Sequence, residues 1–135
     1  MSALRTILVA AAATLTALPG GALPLTASER ALAFAACAGR YSAEMEHLWL
    51  VAPADSAVPA ARRDTFLGLL DAVVTDAMAR GLPPHLPLAT RIEEKAAQAA
   101  LLQRAAFHLD PVAADAARAA AERRIAACGV WLLDA

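Results

Sequence analysis

Two cysteines, Cys37 and Cys128, sit about 90 residues apart in an alanine-rich chain. Each falls on the apolar stripe of a segment with helical periodicity. A covalent tie between an early and a late helix would decide most of the topology, so the compartment matters first. Met1 to Arg5 carries one positive charge, Thr6 to Leu18 is an uncharged apolar run of about 13 residues, and Pro19-Gly20-Gly21-Ala22 breaks it with small residues. That is the layout of a secretory signal peptide cleaved after Ala22. The run also falls short of the roughly 20 apolar residues that a membrane-spanning helix needs. Residues 1–22 are therefore expected as a removed leader and 23–135 as a single helical domain, periplasmic or alternatively secreted, with no membrane span in the mature chain. In an oxidising compartment an even cysteine count favours a disulfide. Closing a loop of that length restricts the unfolded chain by about 4 to 5 kcal/mol in the chain-entropy model.

Helical periodicity accounts for the rest of the chain. Thr26 and Glu29 have capping-box spacing ahead of a first helix that runs to Val51. Its inward stripe, Phe34, Cys37, Tyr41, Met45 and Leu48, spans about 60° of arc at 100° per residue, and Pro53 closes it. The segment Pro53 to Pro59 reads as a linker with Asp55 and Ser56 as caps. Ala60 to Arg80 reads as a second helix with Phe66, Leu69, Leu70, Val73 and Ala77 on one face. Gly81 stands where a left-handed cap is wanted, and Pro83-Pro84 block continuation. A third helix is predicted from Leu88 or Thr90 to His108, capped by Thr90 with Glu93, its apolar face formed by Leu88, Ile92, Ala96, Ala99 and Ala106. Asp110-Pro111 restarts a fourth helix, with Ala114, Ala117, Ala121, Ile125, Cys128 and Leu132 on one side.

Four helices on short connectors favour an up-down-up-down arrangement. Cys37 and Cys128 then point inward at nearly equal heights, so the expected fold is all-α, an antiparallel bundle of about four helices with one disulfide joining the first and last. The first helix carries a second strip almost opposite its core stripe: Leu32, Ala36, Gly39, Ala43 and Leu50. A helix apolar on two sides should be covered on both, here by another helix of the chain or by a second molecule.

The sequence offers no chemistry of its own. Covalent haem needs Cys-x-x-Cys-His, which is absent. The adjacent Glu46 and His47 point about 100° apart on a regular helix, so no metal or cofactor is expected, the alternative being a surface copper or zinc contact by Met45, Glu46 and His47. No Ser occupies a nucleophile turn, and paired cysteines leave no free thiol, so the protein is expected not to be an enzyme. Net charge is −1, with basic residues interleaved among acids, which argues against nucleic acid as a partner. Arg91, Lys95 and Arg104 offer an anion pocket between helices, against the plainer reading that their stems run along the core edge. Trp49 and Leu50, with Glu46 and His47, place an aromatic anchor, charge and an apolar neighbour at one end of the bundle, the composition of an interaction hot spot. The alternative is that Trp49 caps the core against the connector Gly81 to Pro87.

The stretch CAGRYSAEMEHLWL, followed by a distant second cysteine after an Arg/Ala-rich helix, resembles small exported two-cysteine helical bacterial proteins of unknown function. The resemblance implies export and the cysteine pair, and carries no site. The expected function is that of a non-catalytic interaction or accessory protein of the cell envelope, chaperone-like in one variant, working through a protein partner or as a homodimer. The alternative is a small-ligand or metal-binding bundle.

Overall fold

The computed structural model describes residues 25–133; the expected leader at residues 1–22 lies outside them. Four helices follow in order, α1 (Ala27–Val51), α2 (Ala57–Ala79), α3 (Leu86–Phe107) and α4 (Pro111–Leu133), with a short 3-10 turn, Pro53–Ser56, between the first two. The Thr26 backbone N–H donates to the Glu29 carboxylate at 2.7 Å while the Glu29 N–H donates back to the Thr26 hydroxyl at 3.2 Å, completing the expected capping box. The Thr26 backbone N–H, then its hydroxyl, holds the Glu29 carboxyl below its usual range.

Two helix starts differ from the sequence reading. α2 begins at Ala57, ahead of Pro59, and α3 begins at Leu86, ahead of Pro87. Both prolines sit in a first turn, where the missing N–H would have had no helical acceptor anyway. Thr90 is consequently inside α3 and does not cap it. The Ser56 hydroxyl turns back to the Pro53 carbonyl at 2.7 Å and does not cap α2 either. Gly81 adopts φ 104°, the left-handed stop expected of it. The Asp110 carboxylate accepts from the Val112 N–H at 3.0 Å and caps α4.

α1 is the hub. It packs against α2, α3 and α4, whereas α2 approaches neither α3 nor α4 within 8 Å between Cα atoms among the described residues. Sequential helices run antiparallel, so α1 and α3 lie parallel: Gly39 meets Arg91, Arg40 meets Glu94, and Glu44 meets Gln98. The bridge Cys37–Cys128 joins α1 to α4 with Cα atoms 5.8 Å apart. Below it, Phe34 packs edge-on against Trp131 (5.6 Å between ring centres), and Tyr41 stacks on Phe66 at 5.8 Å. The predicted inward stripes of α1, α2 and α4 are the buried ones.

The second strip of α1 lies under α3 of the same chain at Gly39 and Ala43, while Leu50 at its end stays exposed. A Cβ on Gly39 would collide with the Arg91 carbonyl oxygen and come within 3.1 Å of the Lys95 nitrogen. Glycine is what lets the two backbones approach this closely.

α3 is turned about a third of a revolution from the expected face. Leu88 and Ile92 are exposed, as are Ala96 and Ala106, while Gln98 and Pro87 are buried. The inward face is written in polar side chains. The Glu94 carboxylate accepts from Arg40 Nε and Arg124 Nη2, both at 2.7 Å. The Gln98 amide donates to Glu44 at 2.8 Å and to the Ala121 carbonyl at 3.1 Å, and its oxygen accepts from Arg124 Nε at 3.0 Å. Arg40 also donates to the Arg124 carbonyl at 3.0 Å, beside the disulfide. No buried side-chain polar atom among the described residues lacks a partner. A search for apolar residues at helical spacing selects the wrong side of a helix whose interior is a satisfied ionic network.

Candidate interaction surface

The ends of α1 and α3 and the starts of α2 and α4 meet at one end of the bundle. Pro53 stops α1, and the 3-10 turn brings Val58 back beside it. At the other connector His108 leaves the helical region, its ring nitrogen Nδ1 accepts from the Asp110 N–H at 3.1 Å, and Pro111 restarts the helix. Hydrogen bonds and proline thus fix both connectors, and the residues between them have no core to enter.

Of the twelve exposed large hydrophobic residues among the described residues, seven lie at this end: Trp49, Leu50, Val51, Val58, Phe107, Leu109 and Val112. Leu50 is 86 % exposed, Phe107 72 % and Leu109 100 %. Leu50, Val51 and Phe107 wall a cleft of about 180 Å³ floored by Ala43 and Ala99, with His47 on its rim. Isolated exposed hydrophobics are ordinary on protein surfaces, but their collection at one end is not.

The seven residues expected to form an interaction surface divide. Leu32 and Ala36 are half-buried on the α3 side of α1, and Ala43 is only 2 % exposed. Leu32 packs on the core cluster and Ala43 lies beside Ala99 of α3, so both belong to packing within the chain. Glu46 is tied to Lys95 at 2.6 Å. His47 stays half-buried at the cleft rim, and Trp49 and Leu50 are open. Trp49 does not cap the core against the connector Gly81 to Pro87, which lies at the opposite end, beside Leu70 and Val74. Val51, Val58, Phe107, Leu109 and Val112 extend the surface beyond the residues singled out from sequence. All five lie within four residues of a proline in the sequence, but only the parallel placement of α1 and α3 brings the two connectors together.

Met45 is buried, its sulfur accepting from Arg63 at 3.1 Å, so Met45, Glu46 and His47 present no common face to an ion. Among the described residues no group of three or more His, Cys, Asp and Glu side chains is placed to hold a metal, and no helix is long and apolar enough to cross a membrane. The ionic network around Glu94 satisfies itself internally.

Compared with protein-family profiles, curated proteins and solved structures, the chain finds no match in any of the three.

Proposed function

We infer that this protein is an exported, non-catalytic interaction protein of the cell envelope, and that it binds a protein partner through the apolar end formed by Trp49, Leu50, Phe107 and Leu109. The observation that carries the reading is the gathering of seven large exposed hydrophobics at the end where hydrogen bonds and prolines hold both connectors. A preformed apolar surface loses little conformational entropy on binding, and an aromatic anchor beside aliphatic neighbours is the usual composition of a hot spot. The disulfide supports export, because such bridges persist in oxidising compartments. The periplasm is the compartment this reading assigns.

The test is a photoreactive amino acid placed at Leu50 in the exported protein in living cells, with a second at Gly68, on the exposed face of α2, as control. A discrete adduct from position 50 and none from position 68 is expected. Equal, diffuse labelling from both positions would reject the end face as a binding surface.

A further inference from the structure

The outward turn of α3 leaves a second unpartnered surface, away from the apolar end. α2 and α3 flank α1 with no Cα atoms within 8 Å of each other, and a groove runs between them. At one end it is a cleft of about 310 Å³ walled by Leu67, Ile92, Arg63, Arg91 and Lys95 over Ser42. Through Arg91 it continues into a second cleft of about 200 Å³, lined by Leu70, Val74 and Leu88. From Arg63 to Val74 the groove extends about 16 Å at 1.5 Å per residue, three helical turns. Ile92 is 59 % exposed and Leu88 52 %, one turn apart on the same wall.

The charges in the groove are unequal. Arg63 is engaged by Asp64 at 2.7 Å and Lys95 by Glu46 at 2.6 Å, while Arg91 has no carboxylate within 4.0 Å among the described residues. No acid lines the first cleft, and the single acid lining the groove, Asp71, stands in the second, which Arg91 also borders. An occupant therefore meets apolar walls along its length, positive charge alone in the first cleft, and Asp71 beside Arg91 in the second.

We propose that this groove binds an amphipathic helix of a partner protein, with its apolar stripe on Leu67, Leu88 and Ile92 and an acidic residue at Arg91. The mode is that of a helix laid into a groove between two others, read by anchors one turn apart. A second copy of the chain fits poorly, because a two-fold pairing of α3 with α3 would set Arg91 and Lys95 against their own copies, and like charges across an interface suppress pairing. The proposal is independent of the apolar end, and the two fail separately.

The probe is a fluorescent synthetic helix of about 18 residues, five turns, with a leucine stripe and glutamates at one end, beside a twin with lysines in place of the glutamates. Anisotropy titration of the purified protein is expected to show the acidic peptide binding at least about tenfold more tightly than its twin, with affinity falling as salt rises. Arg91→Glu should reverse the preference, Ile92→Asp should abolish binding, and Val130→Ala, at an exposed position of α4 that lines neither cleft, should change nothing. Twins of equal affinity, no binding by either, or a preference that survives Arg91→Glu would overturn the proposal. So would a homodimer in sedimentation that Ile92→Asp dissociates. Because the twin comparison uses the unaltered protein, it decides the matter even if a variant folds poorly.

Discussion

On the side it shares with α2 and the end of α4, α1 presents Phe34 and Tyr41 to Phe66 and Trp131; on the side it shares with α3, it presents Arg40 and Glu44 to Glu94, Gln98 and Arg124. The first contact is stabilised by removing aromatic area from water and is tolerant of small shifts in register. The second gains little from burial, since charges lose hydration on entering it, but each of its hydrogen bonds fits only one register of α3 against α1 and α4. One helix thus has one neighbour held mainly by area and another held mainly by geometry.

The sharpest way to break the comparison is to remove a large side chain from the first flank. Phe66 is 0 % exposed, and Phe66→Ala is expected to cost about 3–5 kcal/mol in denaturant unfolding. On the second flank, Glu94→Ala leaves two guanidinium groups facing each other and should cost about 2–3 kcal/mol, less than a fully buried pair because water still reaches these side chains. Replacing Arg40, Glu94 and Arg124 together by Leu should cost less than Glu94→Ala alone, since no orphaned charge remains. If the triple variant were the less stable of the two, the network would be a net source of stability, and the contrast between the flanks would fall.

Two glycines refine the same point at smaller scale. In a helix interior Gly→Ala ordinarily stabilises by about 0.5–1 kcal/mol, and Gly68, with nothing within 4 Å of a built Cβ, should follow that rule. Gly39→Ala should instead destabilise by about 1–3 kcal/mol, because the Arg91 carbonyl of α3 stands where the methyl would go. Thermal melts of both variants read the sign directly. Stabilisation at both positions would mean that α3 does not press on α1.

The smallest effect concerns pH. Burial raises the Tyr41 phenol above its ordinary 10.0, while Arg62 opposes and Glu44 adds to the shift. The folded state therefore disfavours the phenolate. This contribution to stability is complete below the ordinary value and is lost as pH rises through the folded one. Tyr41 is the only tyrosine in the chain, so ultraviolet titration should show a higher midpoint folded than in urea, and the melting temperature should decline above pH 10.

The contrast between the flanks also explains what the sequence makes legible. Wherever a helix buries apolar residues, as α1 does with Phe34 and Tyr41, α2 with Phe66 and α4 with Cys128, periodicity finds the right face and the bridge follows from it. On α3 the same rule selects Leu88 and Ile92, which face the groove, because the interior face carries Glu94 and Gln98. Their partners Arg40, Glu44 and Arg124 lie on other helices, at separations no local pattern contains. The end surface is legible only at Trp49 and Leu50. Phe107 and Leu109 join it through the placement of α3 against Gly39, a tertiary fact.

Leu50→Glu combined with Phe107→Glu tests most directly whether the apolar end serves binding and not folding. Both side chains project from a bundle already closed by its aromatic flank, its ionic flank and its bridge. The double variant should unfold within about 0.5 kcal/mol of the parent, as exposed substitutions do, while adducts from a photoreactive group at position 51 disappear. A loss of stability of more than about 2 kcal/mol, or adducts that persist, would contradict the account.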